Sequence, residues 1–409
     1  MPNDDQTLLR PLAQESLHTT APAAPRSNDR FTWSMYLTFA LWGWVLYMFG
    51  PATQLLGSER GLSDTLIGLH STALAVGACA AGLLLPRVVP ALGRRTTLLV
   101  SGALMVAGLA VFVASPALVP GLLAVVVMST GGTLGIGAGT AGLALHHGPR
   151  AGATLTVGNG LGTVAGVMGP LVLGAAVAAG FGWRAGLLTA VPLAGAALFV
   201  WARIPAGDRA PRVAVKHGDA PARERLTLGL DGWLLLVAAL AGTAVEFATT
   251  FWAASLIQEA TGASVGVATG SIAGFVGGMA LIRLISGPAT RRWPARWLVA
   301  GSFVAAAAGW AVLWTAQSPA VAIAGLVLAG LGVGLLWPLC GAMFLATARG
   351  PVDSAQSVMM VASSVAVGVV PFLLGALADQ AGVHTAFLII PVFVVLGIAG
   401  VLLGSRARR

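Results

Sequence analysis

The chain has 409 residues, of which 57% are hydrophobic and only 9% are charged, and its formal net charge is +9. Soluble domains carry about 25% charged residues, so a chain this poor in charge must place much of its surface against lipid. The basic excess is typical of the short loops on one side of a membrane protein, and for this reason we expect no nucleic-acid partner.

Residues 1–30 are polar and contain four prolines, which predicts a disordered cytoplasmic tail. Apolar runs long enough to cross a bilayer follow one another after this tail. They must be helical, because lipid cannot satisfy the open backbone groups of other structures. We predict about twelve spans, at roughly 31–56, 64–86, 96–115, 119–145, 152–179, 185–203, 232–256, 264–287, 297–316, 319–347, 355–378 and 384–404.

A polar stretch at 205–230 interrupts this pattern with three prolines and mixed charges, and it predicts a flexible linker. It separates an N-terminal bundle, 31–204, from a C-terminal bundle, 231–409. Almost all arginines lie in the tails, the linker and the loops of one side, whereas the other side keeps only Arg60 and Arg184. The sequence therefore predicts a multi-pass protein of the cell membrane with both termini and the linker in the cytoplasm.

The two bundles resemble each other at an offset of about 201 positions. At this offset residues 170–174 (PLVLG) fall on 371–375 (PFLLG), Gly108 falls on Gly309, and Gly131 falls on Gly332. Parallel repeats of six spans are known from transporters that bind substrate near the midplane, between the repeats. We therefore predict an all-α membrane protein made of two six-helix bundles related by a pseudo-two-fold axis.

The loop after the second span ends in Gly93-Arg94-Arg95, with Pro90 and Ala91 before it. It resembles the signature loop of the major facilitator superfamily (MFS), which ends in Asp-Arg-x-Gly-Arg-Arg. Pro90 and Ala91 replace the family's Asp and Arg. The resemblance implies the twelve-span MFS fold, and it implies that this loop helps to switch the transporter between its end states.

A second copy of this loop follows the eighth span, where Gly287 precedes Arg291-Arg292 and Thr290 stands in the place of an Asp. In the family this Asp helps to lock one end state. The resemblance therefore implies that Gly287, Arg291 and Arg292 help to switch between end states. It does not imply the lock, because the Asp is absent.

The fifth span contains Gly169-Pro170 among further glycines. This pair resembles a degraded form of the Gly-Pro motif of the family's antiporters. An alternative interpretation is a kinked, closely packed helix that has no bearing on the direction of transport.

Glu246 is the only acidic residue that we place deep in a span, near the middle of the seventh. An ionised carboxylate at mid-membrane is costly, so such a group normally faces a cavity or binds a proton. Thr243 and Thr250 share its helix face and can complete a polar patch, although their hydroxyls can equally bond to their own helix. The alternative is a structural carboxyl that is hydrogen-bonded between helices. The resemblance implies a cavity lined by spans 1, 4, 7 and 10, which favours a functional Glu246.

The first span carries aromatic side chains near mid-depth, and we select Trp44 and Tyr47 as candidates for a cavity wall. In the tenth span, Trp337-Pro338 marks an expected helix break at a similar depth. The alternative for Trp44 and Tyr47 is contact with lipid or packing between helices, and the alternative for Trp337-Pro338 is a plain kink. Arg283 lies near the end of the eighth span, and we expect it to reach the membrane surface.

The best-supported function from sequence is a proton-coupled exporter of small, mostly apolar or amphipathic organic molecules. This hypothesis rests on one buried carboxylate, an aromatic cavity, the antiporter-like pair and the absence of a buried basic residue. The alternative is a proton symporter for a neutral nutrient such as a sugar, and a non-transporting membrane sensor is a remote third. We predict no enzyme activity, no cofactor and no metal, and we expect a monomer whose partners are substrate, protons and lipid.

Overall fold

The computed structural model describes residues 29–148, 151–204, 226–347, 349 and 352–405. Most of the predicted tail (1–30) and of the predicted linker (205–230) lies outside these residues. Within them the chain is almost wholly helical, and the only strand-type pairing is a bridge between Thr227 and Arg349. The all-α prediction is therefore confirmed.

The described residues form twelve helical segments of membrane length, which we number as spans. A short helix, Gly287–Arg292, lies between spans 8 and 9. The spans are 1, Arg30–Arg60; 2, Asp64–Leu92; 3, Arg94–Ala114; 4, Leu118–His147; 5, Ala151–Ala178; 6, Gly182–Leu188 with Ala190–Trp201; 7, Leu230–Thr261; 8, Val265–Ile285; 9, Ala295–Trp314; 10, Pro319–Val333 with Leu336–Leu345; 11, Val352–Ala381; and 12, Val383–Ala386 with Ile389–Gly404.

Eleven of these segments are long and apolar enough to cross a membrane by length and composition, and span 1 is the exception. Span 1 has 31 residues, so its length is sufficient. Its hydropathy is lowered by the tryptophans, tyrosines, threonines, glutamine and proline in its sequence. We count it as a span because most of its residues are buried against other helices.

Local sequence explains where the helices begin and end. Asp29 caps span 1, since its carboxylate accepts a hydrogen bond from the Thr32 backbone N–H at 2.7 Å. Gly61 follows the last residue of span 1 and Gly262 follows that of span 7, both with a positive φ near 60° that favours glycine. Ser63 caps span 2 in the same way as Asp29 caps span 1.

Spans 1–6 form the N-half and spans 7–12 form the C-half. The face at which span 1 begins and span 12 ends is called the terminal face, and the other is the opposite face. The halves meet where span 2 packs on span 11, span 5 on span 8 and span 1 on span 7. Glycines make this approach close: a Cβ on Gly375 would lie 2.3 Å from the Asp64 carbonyl oxygen, and one on Gly174 would lie 2.6 Å from that of Gly266. Both contacts lie towards the opposite face.

Candidate functional site

Glu246 and Tyr47 join the two halves near the middle of the molecule. The Tyr47 hydroxyl, on span 1, donates a hydrogen bond of 3.0 Å to Oε1 of Glu246, on span 7. Tyr47 is buried and Glu246 is partly exposed. The sequence analysis singled out both residues without predicting that they touch. The contact links the Glu246 carboxyl of the C-half directly to span 1 of the N-half.

Arg283 extends this cluster, which corrects the expectation that it reaches the membrane surface. Its Nε donates to the Gly334 carbonyl oxygen of span 10 at 2.9 Å, and its Nη1 donates to Oγ1 of Thr163 on span 5 at 3.2 Å. Arg283 also lies close to Glu246 and to the Tyr47 hydroxyl. The interior thus contains a basic side chain, and one of the arguments for a purely apolar substrate no longer holds. We call Tyr47, Thr163, Glu246, Arg283 and Gly334 the central cluster.

The helix break in span 10 explains why Gly334 can accept this bond. Pro338 has no N–H group, so the carbonyl four residues earlier, that of Gly334, loses its normal donor within the helix. The helix is interrupted at Gly334 and Leu335, one turn before the predicted break at Trp337-Pro338. The guanidinium of Arg283 supplies the missing donor, because a buried carbonyl without a partner is costly.

The depth of Arg283 is clear only when it is counted from the opposite face. It lies about five turns from the start of span 8, and Glu246 lies about four turns from the end of span 7. Span 8 is short at the terminal face, so a residue close to its end still lies at the depth of Glu246. The sequence signal that could have revealed this is Pro338, which predicts an unpaired carbonyl in need of a donor.

The remaining cavity candidates do not contact the Glu246 carboxylate. The hydroxyls of Thr243 and Thr250 donate to the carbonyl oxygens of Ala239 (3.1 Å) and Glu246 (2.8 Å) in their own helix. The Trp44 side chain contacts its own half, since its indole N–H donates to Oγ1 of Thr189 at 3.3 Å.

Trp337 is partly buried and packs against the hydrophobic core of the described residues. Tyr47 is therefore the member of the predicted aromatic pair that reaches the central cluster.

The Gly169-Pro170 pair belongs to a line of glycines along which span 5 packs on span 1. A Cβ on Gly169 would lie 2.6 Å from the Trp44 carbonyl oxygen, and one on Gly166 would lie 2.4 Å from the ring of Tyr47. A Cβ on Gly162 would lie 2.9 Å from the Phe39 carbonyl oxygen. These glycines let span 5 hold the Tyr47 ring in position, which favours the packing interpretation of the motif.

We expect Gly166→Ala to weaken transport by displacing Tyr47 from Glu246. The added methyl overlaps the ring, and overpacking of this kind costs about 1–3 kcal/mol. The measurement is the initial transport rate together with the unfolding temperature in detergent. Gly160→Ala is the matched control on the same span, because a Cβ there meets nothing within 4 Å. Equal rates in the two variants would contradict a positioning role for Gly166.

The two arginines of the first switch loop lie in different surroundings. Gly93 has a φ of 79°, which turns the chain between spans 2 and 3. Arg94 is buried, and a Cβ on Gly142 of span 4 would lie 2.8 Å from its Nη1. Arg95 is partly exposed. Arg94 thus fixes the loop against span 4 of its own half, which keeps it far from the central cluster.

In the second loop, Gly287 starts the short helix and Arg292, at its end, is exposed. The side chain of Arg291 lies outside the described residues. The switch role of both loops stays a prediction. Within the described part of the chain, no three His, Cys, Asp or Glu side chains are grouped so that they could hold a metal ion.

Comparison with known proteins decides the family. The family model described as Major Facilitator Superfamily matches residues 35–282 and 234–409. The chain belongs to the Major Facilitator Superfamily. It is therefore a secondary membrane transporter. A search of curated proteins gives no match.

Solved structures share the MFS fold with this chain at low sequence identity. The nucleoside transporter NupG, in a mutant form, is 14% identical with a TM-score of 0.74, over 92% of this chain and 98% of that one. A D-xylose–proton symporter is 13% identical with a TM-score of 0.73, over 92% and 96%. A bacterial homologue of the human lysosomal transporter Spinster is 16% identical with a TM-score of 0.70, over 92% and 96%.

Proposed function

We propose that this MFS transporter couples the movement of protons to the export of small apolar or amphipathic organic molecules, with Glu246 as the proton-binding residue. The observation that carries the proposal is the Tyr47–Glu246 hydrogen bond, which joins the halves at the depth where MFS substrates bind. The Glu246 side chain is not fully enclosed by protein, and the proposal requires that a proton can enter and leave at this position. Carboxylates inside a membrane protein commonly serve as proton relays.

The coupling follows from the position of the two bonding partners. Alternating access moves one half against the other around a fixed site. In this proposal the movement lengthens the Tyr47–Glu246 bond, since its donor and acceptor lie on different halves. A carboxylate that loses this donor is less well stabilised and holds a proton more firmly. Proton binding and rearrangement of the halves thereby favour each other, which is the requirement for coupled transport.

Arg283 acts in this proposal as the internal positive charge that offsets Glu246 when the carboxyl is ionised. The same guanidinium widens the range of substrates, since it can also donate to an oxygen of a bound molecule. The central cluster therefore suits an amphipathic molecule better than a purely hydrocarbon one.

A proton symporter for a neutral nutrient is the second candidate. The donors of Tyr47 and Arg283 suit a hydroxylated molecule, and the similar structures include a D-xylose–proton symporter and a nucleoside transporter. The orientation proposed from sequence places the terminal face in the cytoplasm of a cell-membrane protein, and a reporter fused after Arg409 tests it.

The experiment is substrate-stimulated proton movement in vesicles that contain the purified protein. A panel of amphipathic drug-like molecules is compared with a panel of sugars and nucleosides. We expect the amphipathic panel to move protons in the direction opposite to substrate. Proton movement with a sugar or nucleoside in the same direction as substrate would support the symporter instead. Substrate transport without proton movement would reject the coupling.

A further inference from the structure

A carboxylate ties spans 2 and 11 together at the opposite face, away from the central cluster. Oδ1 of Asp379, near the end of span 11, accepts the backbone N–H of Asp64 at 2.7 Å. Oδ2 of Asp379 accepts the backbone N–H of Thr65 at 2.9 Å and the Thr65 hydroxyl at 2.5 Å. Span 2 begins at Asp64, so both N–H groups are among those that no carbonyl of their own helix can satisfy.

The interaction is favourable for two reasons, and it exists only when the halves are closed at this face. Asp379 satisfies unpaired donors, and its negative charge lies at the positive end of a helix of 29 residues. Span 2 belongs to the N-half and span 11 to the C-half. Opening the opposite face separates the carboxylate from all three donors at once.

The pseudo-symmetric contact lacks this feature. At the offset of about 201 positions, Gly375 corresponds to Gly174, and Ser63, the cap of span 2, corresponds to Ser264, the cap of span 8. Asp379 corresponds to Ala178. A Cβ on Gly266 would lie 2.9 Å from the Cβ of Ala178, so spans 5 and 8 meet through apolar packing. Of these two symmetry-related contacts, one carries a charged cap and the other does not.

Two further carboxylates lie close to this cap. The charge of Asp379 and that of Glu259, near the end of span 7, both act on Asp64. Asp64 lies on the N-half and the other two carboxylates lie on the C-half, so their repulsion of Asp64 favours opening of the opposite face. The hydrogen bonds of Asp379 oppose this opening. The equilibrium between the open and the closed opposite face thus depends on both effects, and the hydrogen bonds of Asp379 favour the closed state.

We propose that Asp379 is a positioning residue of the transport cycle: it caps span 2 across the halves, holds the opposite face closed, and thereby sets how often the central cluster opens to that face. Gln54 and Ser255 mark the same closure, since the Ser255 hydroxyl donates to Oε1 of Gln54 at 2.9 Å between spans 7 and 1. Their contact provides a reporter of opening that is separate from Asp379 itself.

The test is the rate at which a small maleimide labels a cysteine at position 255. The parent protein carries Ser255→Cys, and its own cysteines, Cys79 and Cys340, are replaced by alanine. Ser255 is only partly exposed while the opposite face is closed. Opening of this face exposes position 255 further, so the labelling rate rises with the open fraction. Loss of a capping side chain changes such an equilibrium roughly 2- to 30-fold. We therefore expect Asp379→Ala to label roughly 2- to 30-fold faster, with Asp379→Asn in between.

Glu259→Gln is the matched control, because it removes a carboxylate at the same face and leaves the cap in place. We expect its labelling rate to equal that of the parent or to fall. Ala178→Asp, added to Asp379→Ala, gives span 8 the cap that span 2 has lost, and it should slow labelling again. An unchanged rate in well-folded Asp379→Ala, an equal increase in Glu259→Gln, or no slowing by Ala178→Asp would overturn the proposal. The assay needs neither substrate nor a proton gradient, so its outcome is independent of the proposed proton coupling.

Discussion

Replacing Glu246 with Gln is expected to abolish uphill transport while leaving the protein folded. The amide keeps the size of the carboxyl and can still accept the Tyr47 hydroxyl, but it cannot bind and release a proton. A cycle without a titrating group cannot convert a pH gradient into a substrate gradient. We expect accumulation in vesicles with an imposed pH gradient to fall to the level of empty vesicles, whereas substrate binding and downhill exchange persist.

The matched control for this variant lies on the same span. Glu259→Gln makes the same chemical change near the end of span 7, at an exposed position, and should leave accumulation intact. Tyr47→Phe removes only the donor to Glu246 and should weaken accumulation without abolishing it. Full accumulation by well-folded Glu246→Gln would show that the carboxyl has a structural role, and the proton-carrier proposal would be rejected.

Replacing Arg283 with Met is expected to cause a large loss of both transport and stability. The change leaves the Gly334 carbonyl without the donor it has in the structure and removes the link to Thr163. A buried acceptor without a partner costs about 1–3 kcal/mol. Glu246 also loses its nearby positive charge, and an ionised carboxyl at that depth is then uncompensated. We expect a lower unfolding temperature in detergent and an uphill rate near background.

Two further variants separate the charge of Arg283 from its geometry. Arg283→Lys keeps the charge, but its ammonium lacks the rigid fork that reaches Gly334 and Thr163 together, so we expect partial stability and partial transport. The double variant Glu246→Gln with Arg283→Met removes both charges and should unfold at a higher temperature than Arg283→Met alone. Strictly additive effects on stability would show that the two side chains are not coupled.

The fold was predictable from sequence because the bilayer restricts which structures a long apolar run can adopt. Any run of about 20 apolar residues must be helical in lipid, and the repeat at 170–174 and 371–375 gave the two six-helix bundles. Bundle boundaries stay predictions, since the stretch between the halves lies largely outside the described residues. Substrate was not predictable, because the same architecture serves many molecules and only a few cavity side chains distinguish them.

The candidate site was predictable in part. Glu246 stood out because an acid in mid-span is rare, and Tyr47 was found as an aromatic near the same depth. The contact between them depends on how two halves pack, and no local pattern encodes it. The expected depth of Arg283 in the membrane was wrong because it was counted from the end of span 8 at the terminal face, and span 8 is short at that face. No local pattern marks Asp379 as important, since its partners Asp64 and Thr65 lie in the other half of the chain.

The low hydropathy of span 1 has a consequence for biogenesis. Span 1 leaves the ribosome before the other eleven spans described above. Its polar side chains, including the Tyr47 that serves the central cluster, disfavour its insertion into lipid on its own. The apolar spans behind it, and span 5 in particular, bury these side chains. We therefore expect stable insertion of span 1 to wait until span 5 has been synthesised, so that a chain truncated before span 5 would be a substrate for quality-control proteases.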